Sequence, residues 1–283
     1  MLIRTEYSSL RQGLTGAWCP SLGATGYTLL DRSGRNNHGT LTNMGGQDNW
    51  SAIGNGLALN LDGTNDYIIG SSPPVTTQVT LAFWSYFRTT PTNYPMLLQL
   101  RQSTAGNAAN AAQILFRPNG DIYGGGSGNR LAFGVNGSVG SSVFPTIAFV
   151  SGELAHYAGT YDGSTSRFYK NGTLVSSATV SVSMSGVNEV NIGNNRASST
   201  DGYFSGYLDD LRTFSRALTP SEILLLASRR GIGLSPLPDR GAALPRKLSV
   251  NVGGTWRPAD AYVNVGGAWK LSQASVNVGG VWK

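Results

Sequence analysis

The chain has 283 residues, of which 13% are charged and 38 are glycine. This composition disfavours helical bundles and coiled coils and is typical of short strands joined by tight turns, so we expect one large β domain and a small appendage. The longest apolar run, residues 223–227, has five residues, whereas a membrane-spanning helix needs about 18. We therefore expect no membrane insertion.

The excess basic charge is confined to one end of the chain. Residues 229–283 contain eight of the 21 Lys and Arg residues but only two of the 15 Asp and Glu residues, which accounts for the whole net charge of +6. Such an asymmetry predicts that this end meets an acidic partner. The charges form no five-residue basic cluster, so the pattern disfavours nucleic acid as that partner.

Cysteine and histidine are scarce. Cys19 is the only cysteine, and His38 and His156 are the only histidines, so an intramolecular disulfide and a four-cysteine zinc site are excluded. A bound metal would be oxygen-ligated, which favours calcium. We expect both histidines to be structural hydrogen-bonding residues. The first residues lack the basic and apolar segments of a secretory signal, so we expect assembly in a cytoplasm.

The chain begins with a polar segment, residues 1–12, which we interpret as an N-terminal arm. Residues 13–230 then alternate strand-like runs with Gly, Asn, Ser and Thr turns, and residues 79–88 predict a strand that is apolar on both faces. Asn171 and Gly172 predict a type I′ turn between two β-prone runs. These patterns favour an all-β sandwich over residues 13–230.

One helix is predicted at the end of this domain. Thr219 as N-cap, Pro220 at the first helical position and Glu222 at the third form a capping box before an apolar run. Residues 231–246 hold three prolines and three glycines and show no strand or helix period. We interpret them as a linker.

Residues 247–283 contain a repeat. The pattern Val-Asn-Val-Gly-Gly-x-Trp, followed by Lys or Arg, occurs at residues 250–257, 263–270 and 276–283, with a period of 13. Each copy predicts a β-hairpin whose Gly-Gly turn places Asn opposite Trp. A single hairpin of this size is marginal in water, so we expect the three to pack on one another, on the main domain or on a partner.

The middle segment resembles the laminin-G-like jelly roll of the concanavalin A-like lectin/glucanase superfamily. The Asp-Gly-x-x-Asp-Tyr turn at residues 62–67 carries this resemblance, together with motifs at residues 13–18, 31–39, 81–84, 154–163, 168–172, 204–212 and 216–222. The resemblance implies a jelly-roll β-sandwich with a short C-terminal helix, followed here by the small three-hairpin unit. Sandwiches of this type include lectins, enzymes and structural modules, so the function has to be argued from the site.

The C-terminal repeats resemble those at the ends of tailed-bacteriophage virion proteins. This second resemblance covers about 35 residues. It implies that the chain is assembled onto a particle. The tryptophans and the cation that follows each of them are then candidates for partner docking: Trp256, Arg257, Trp269, Lys270, Trp282 and Lys283. The alternative is a small self-contained core with the cations at its edge.

Catalytic residues are not indicated. Some relatives of the superfamily hydrolyse β-glucans with a Glu-x-Asp-x-x-Glu strand, but the four glutamates of this chain, Glu6, Glu153, Glu189 and Glu222, are isolated. We therefore expect no enzymatic activity.

Two binding sites remain as hypotheses. Asp31 and Asp209 match positions where relatives hold a structural calcium, with Asp62 and Asp66 as the next candidates; the alternative is that these carboxylates organise turns and bond backbone amides. Trp84 and Tyr86 share a strand face with the spacing of a sugar-stacking platform, and the alternative is core packing.

These features favour a non-enzymatic structural protein of a bacteriophage particle, either a head-decoration protein or a tail or fibre component. Its location would be the virion, its partners would be other capsid or tail proteins, and we expect a homo-oligomer, with a trimer as one state. The alternative is a glycan-binding adhesin, or a free carbohydrate-binding protein, that recognises a host surface polysaccharide. Neither hypothesis requires a cofactor, and a structural calcium is the one candidate.

Overall fold

The computed structural model divides the chain into two compact units, Met1–Pro236 and Leu237–Lys283. In the first unit, the structure describes residues 5–45, 49–72, 77–103, 112–118, 128–135, 145–182, 184, 186–194 and 202–234. In the second unit, it describes the backbone of residues 248–252, 255–259, 261–265, 268–272, 277–278 and 281–282.

The first unit is a sandwich of two eight-stranded antiparallel sheets. Sheet I has the order β14-β13-β12-β7-β16-β5-β4, with β1 also paired to β16. Its strands are β1 (Leu14–Trp18), β4 (Trp50–Ile53), β5 (Gly56–Asp62), β7 (Val79–Phe87), β12 (Leu154–Tyr161), β13 (Thr165–Lys170), β14 (Thr173–Thr179) and β16 (Ser205–Phe214).

Sheet II has the order β11-β10-β9-β8-β15-β6-β3-β2. Its strands are β2 (Thr28–Leu29), β3 (Gly39–Thr42), β6 (Tyr67–Ser71), β8 (Met96–Arg101), β9 (Ala112–Arg117), β10 (Arg130–Val135), β11 (Thr146–Ala148) and β15 (Glu189–Ile192). This arrangement confirms the predicted jelly-roll sandwich.

The main core lies between the two sheets. Alternate residues of β7, such as Leu81 and Phe83, are fully buried there against Phe116 and Phe133 of sheet II. Burying an aromatic or aliphatic side chain of this size stabilises the fold by about 1.5–3 kcal/mol. The other face of β7 turns away from this core and carries Thr80, Ala82, Trp84 and Tyr86.

A second apolar cluster covers part of that outer face. The helix α1 (Pro220–Ser228) contributes Ile223 and Leu226, which pack with Ala82 of β7. Leu10, which is 2% exposed, belongs to the same cluster, and the guanidinium of Arg216 donates to the carbonyls of Ser9 and Gln12 at 2.7 and 2.8 Å. The described residues of the N-terminal arm, 5–12, therefore pack on the sandwich, because Leu10 gains burial there.

The local predictions for the helix and the hairpin are confirmed. The Thr219 hydroxyl accepts from the Glu222 amide, and the Glu222 carboxylate accepts from the Thr219 amide, so the capping box is complete. Asn171 and Gly172 have φ angles of 50° and 83°, as a type I′ turn requires. The segment after α1, expected to be linker from residue 231, still packs on the sandwich through Ile232 and Leu234.

The second unit consists of three two-stranded antiparallel sheets. They are β17–β18 (Leu248–Val252 and Thr255–Ala259), β19–β20 (Ala261–Val265 and Ala268–Ser272) and β21–β22 (Asn277–Val278 and Val281–Trp282). In every copy Asn lies opposite Trp in the register. The predicted hairpins therefore form, while Lys283 and the side chains of the other docking candidates lie outside the described part of the structure.

Within the described residues, α1 and the two 3-10 segments, Thr5–Arg11 and Pro20–Leu22, are the helical elements of the chain. No described helix is long and apolar enough to cross a membrane.

Candidate functional site

Aromatic side chains lie next to one another on the outer face of sheet I. Tyr86 of β7 is opposite Tyr207 of β16, which is in turn opposite Asn60 of β5. The two tyrosine ring centroids are 5.7 Å apart and the rings are tilted by 48°. Both rings are half-buried, so each keeps part of its apolar surface in contact with solvent.

Trp84 lies one row further along the same face. Its cross-strand neighbours are His156 on β12 and Asp209 on β16, and its ring meets the His156 ring edge-on at 5.6 Å. The indole Nε1 is buried and has no hydrogen-bond partner among the described residues. Trp84 is thus more enclosed than a free stacking ring, whereas Tyr86 beside it pairs with another tyrosine.

A guanidinium adjoins the two tyrosines. Arg88 follows β7, and its Cζ lies 5.0 Å from the centroid of the Tyr207 ring. Its Nη1 donates to the Leu61 carbonyl and to the Ser205 hydroxyl, both at 3.2 Å, and its Nη2 donates to Oδ1 of Asn60. We call Trp84, Tyr86, Tyr207 and Arg88 the aromatic platform.

A cleft of about 250 Å³ lies beside Arg88 and shares Ser205 with it. The residues that line this cleft, hereafter the loop cleft, are Gly63, Thr89, Thr90, Pro91, Thr92, Asn93, Pro95, Gly202, Tyr203 and Ser205. The described part of its walls carries hydroxyl, amide and phenol groups but no charged side chain. Gly202 is required there, because its φ is +83° and a Cβ would come within 2.8 Å of the Asn93 Cβ.

The candidate calcium residue Asp31 is engaged in hydrogen bonds. Its Oδ1 accepts from the Ala17 and Ser33 amides at 2.9 Å, and its Oδ2 accepts from the Ser33 hydroxyl at 2.7 Å and the Asn37 amide at 2.9 Å. The structure therefore places this carboxylate in the turn-organising role. Among the described residues, no group of three or more acidic, histidine or cysteine side chains could hold a metal.

Asp209 is fully buried and pairs with a cation. Its Oδ1 accepts from the Ser21 amide at 3.0 Å, and its Oδ2 lies 3.2 Å from Nη1 of Arg230. Burial, reinforced by the neighbouring Asp210, raises the pKa of Asp209 to about 6. Because the carboxyl has no exposed surface, it cannot reach a substrate in this conformation.

Asp62 and Asp66, the other calcium candidates, belong to one turn. Oδ1 of Asp62 accepts from the Thr64 amide at 2.7 Å, and Oδ2 of Asp66 accepts from the Asp62 amide at 3.0 Å. Both carboxylates therefore organise the chain between β5 and β6.

The histidines have different surroundings. His38 Nδ1 accepts from the Asp31 amide at 3.1 Å, as expected for a structural residue. His156 Nδ1 has no hydrogen-bond partner in the described residues, and burial lowers the pKa of this ring to about 3. His156 is therefore neutral at pH 7 and packs against Trp84 instead of bonding through Nδ1.

The sequence and this architecture agree with one protein family. The model of the Concanavalin A-like lectin/glucanases superfamily matches residues 62–224, which is more than half of the chain. The chain belongs to this superfamily. Both the aromatic platform and the loop cleft are thus features of a lectin-like fold. No curated protein matches the chain.

Solved structures with the same fold include proteins of several activities. Domain 4 of the extracellular arabinanase AbnA from Geobacillus stearothermophilus, in complex with arabinotriose, has a TM-score of 0.52 and 22% identity, covering 75% of this chain and 99% of that one. The sialidase of Trypanosoma rangeli has a TM-score of 0.52 and 15% identity, covering 76% of this chain and 32% of that one. Botulinum neurotoxin type C has a TM-score of 0.55 and 13% identity, covering 78% of this chain and 52% of that one. At these identities the likeness shows the lectin-like fold alone.

Sequence reasoning missed half of the aromatic platform. Trp84 and Tyr86 stand out because they are two positions apart in one strand. Arg88, two positions further, shares their face by the same alternation, whereas Tyr207 joins them only through strand pairing. The sequence holds a partial signal for Tyr207. The family motif at residues 204–212 predicts a strand, and on a strand Tyr207 and Leu208 lie on opposite faces. The register that brings it beside Tyr86 is not readable from that motif.

Proposed function

We propose that the lectin-like domain binds carbohydrate on the aromatic platform. The observation that carries this proposal is the Tyr86–Tyr207 pair with Arg88 over one ring. Sugar rings have apolar C–H faces that pack on aromatic rings, and their hydroxyls need donors and acceptors around them. Tyrosine, arginine and asparagine side chains supply both kinds of contact here.

The loop cleft supports the same proposal. Its threonine, asparagine, serine and tyrosine side chains can both donate and accept hydrogen bonds. They could therefore bind the hydroxyls of an oligosaccharide that extends from the aromatic platform into the loop cleft. The arabinanase domain with arabinotriose and the neurotoxin whose cell entry depends on gangliosides show that this fold can serve glycan recognition. These relatives support the class of ligand and not a particular sugar.

The proposal is tested by binding of the full chain to a glycan array, followed by calorimetry with the best ligand. Tyr207→Ala should weaken binding about tenfold or more, which corresponds to about 1.4 kcal/mol. The matched control is Tyr27→Ala, because Tyr27 is 71% exposed and is not part of the platform. Equal affinities of the two variants, or an array without any bound glycan, would contradict the proposal.

We also propose, as a second function, that the chain is a structural component of a bacteriophage particle, on its head, tail or fibre. The three hairpins present Trp at the same register position in each copy, and residues 229–283 carry the whole net positive charge. Repeated tryptophan and cation pairs would fasten the chain to acidic capsid or tail proteins or to sister subunits. Glycan binding would then serve adsorption of the particle to its host.

Co-sedimentation with purified particles tests this second function. The full chain should be recovered in the particle fraction, and the triple variant Trp256→Ala, Trp269→Ala, Trp282→Ala should be lost from it while glycan binding is unchanged. If the variant sediments as well as the parent chain, or if the parent chain remains in the supernatant, docking through the repeats is wrong.

The proposed function is non-enzymatic. The described carboxylates of Glu153, Glu189 and Glu222 each contact a cation, Lys170, Arg101 and Arg216 respectively, and Asp209 is fully enclosed. A glycosidase needs two carboxyl groups on either side of a bound sugar. Release of reducing ends from a bound oligosaccharide would contradict this part of the proposal.

A further inference from the structure

We infer that the aromatic platform selects glycans that carry a carboxylate, and that Arg88 is the residue that recognises this group. The inference rests on the proposed carbohydrate binding and adds the chemical class of the ligand. Uronic acids and other acidic sugars belong to this class.

The position of Arg88 is fixed by neutral groups. Its three acceptors are a backbone carbonyl, a serine hydroxyl and an asparagine amide oxygen, and its guanidinium also lies over the Tyr207 ring. These contacts hold the side chain in one orientation, so a ligand would not have to order it. None of them carries a negative charge that would neutralise the guanidinium.

Arg88 differs in this respect from three other arginines of the domain. Arg212, Arg216 and Arg230 each contact a carboxylate, at 2.8, 2.7 and 3.2 Å respectively. In the described part of the chain, Arg88 has no such partner. Its charge is exposed at the solvent side of the platform, where a ligand can reach it.

The acidic residue nearest in the strand register does not compensate this charge. Asp62 lies opposite Ser205 in the pairing of β5 with β16. Its Oδ1 accepts from the amides of Thr64 and Asn65, at 2.7 and 3.4 Å. The Asp62 carboxylate is therefore directed into its own turn.

The hydrogen-bonding capacity of Arg88 matches a carboxylate. The guanidinium has five N–H donors. The described residues accept two hydrogen bonds from Nη1 and one from Nη2. The Nε hydrogen and one Nη2 hydrogen remain, and two donors of this kind bind the two oxygens of a carboxylate in a fork. A carboxylate bound there would lie beside the Tyr207 ring. The centroid of that ring is 5.7 Å from the centroid of the Tyr86 ring, on which the sugar would stack.

The loop cleft distinguishes this site from a general anion site. Among the described residues that line it, none carries a charged side chain, so this lining favours the neutral hydroxyls of the following sugar units. The ligand that fits this site has one acidic group at Arg88 and neutral sugar units in the loop cleft. An acidic oligosaccharide matches this pattern better than a densely sulfated chain does.

The test is an array of neutral, carboxylated and sulfated glycans probed with the full chain. We expect the bound glycans to be carboxylated, and methyl esterification of the best ligand should weaken its binding at least tenfold. Arg88→Gln should remove this difference, and Arg88→Lys should restore only part of it, because lysine keeps the charge but lacks the fork. Arg11→Gln is the matched control, since it removes the same charge from an exposed residue of the N-terminal segment.

The outcomes separate the inference from the proposed function. Three results would overturn the inference while carbohydrate binding stands. They are equal binding of neutral and carboxylated glycans, a preference for sulfated glycans, and a preference for the acid over its methyl ester that survives in Arg88→Gln. An array without any bound glycan would overturn both. Melting temperatures of the variants, compared with that of the parent chain, identify a variant that has lost its fold.

Discussion

Asp209 lies 3.2 Å from Arg230, and this contact joins the centre of sheet I to the segment that follows α1. Arg230 Nη2 also donates to the carbonyl of Ile53 at 2.7 Å, so the guanidinium ties three separate parts of the chain together. A buried ion pair of this kind loses solvation of both groups on folding, and removal of one partner leaves the other uncompensated. Burial of the Asp209 carboxyl, which the contact with Arg230 only partly offsets, therefore makes the stability of the domain depend on pH.

The pH dependence can be predicted for Asp209. Its pKa is raised from 3.8 to about 6 in the folded chain, so the stability that the neutral carboxyl contributes is present below about pH 4 and is lost as the pH rises through about 6. Asp209→Asn should remove this loss, which amounts to at most about 3 kcal/mol. Urea unfolding between about pH 3 and pH 7 measures it, with Asp62→Asn as an exposed control. If the unfolding free energy changes with pH by the same amount in both variants, Asp209 is not the group responsible.

Glu222 should have the opposite pH dependence. Hydrogen bonds from Arg216, together with those from Thr219, lower the pKa of Glu222 to about 2. Its contribution is therefore present above about pH 4.5 and is lost as the pH falls through about 2. Glu222→Gln should cost about 1 kcal/mol of unfolding free energy at pH 7, through the capping box and the Arg216 contact, and almost nothing near pH 2. A cost that is independent of pH would mean that the charge of Glu222 is unimportant.

Gly172 should be intolerant of a side chain for two reasons. Its φ is +83°, and a Cβ would come within 2.7 Å of Leu224 Cδ1 and 3.0 Å of Leu224 Cα. Gly152→Ala is the matched control, because Gly152 has a φ of +76° with no atom within 4 Å of the added Cβ. We expect a loss of about 1 kcal/mol for Gly152→Ala, from backbone strain alone, and of about 2–4 kcal/mol for Gly172→Ala. Equal losses in thermal unfolding would show that the hairpin moves away from α1 at no cost.

The packing of α1 can be measured with two leucines of the same helix. Leu226 is 1% exposed and Leu224 is 59% exposed. Leu226→Ala should therefore destabilise the domain by about 2–4 kcal/mol, whereas Leu224→Ala should change its stability by less than about 1 kcal/mol. Chemical unfolding curves provide both values. A small loss for Leu226→Ala would mean that α1 contributes little to the fold.

Calcium should not change the stability of the first unit. Both carboxylate oxygens of Asp31 already accept two hydrogen bonds each, so a cation would have to replace amide donors that cannot find other partners. The melting temperature in millimolar calcium should equal that in a chelator. A rise of several degrees that Asp31→Asn abolishes would restore the calcium hypothesis.

Several features of this protein are determined by the sequence itself. The capping box at Thr219 and Glu222 and the turn at Asn171 and Gly172 depend on residues within four positions of one another, so local pattern is sufficient to predict them. The hairpin register in each C-terminal repeat is local in the same way, since Asn and Trp are five positions apart. Strand alternation also places Trp84 and Tyr86 on one face of β7.

The tertiary structure alone decides what surrounds these residues. Arg88 meets Asn60 and Ser205 across separations of 28 and 117 residues, and Leu10 is buried against a helix that begins at residue 220. Such contacts depend on the order and register of strands in the whole sheet. Register results from all the side chains that must be buried on one face at once, so no short segment specifies it. For this reason the sequence indicates the fold and the strand face shared by Trp84, Tyr86 and Arg88, whereas strand pairing supplies Tyr207 and the partners that orient the guanidinium.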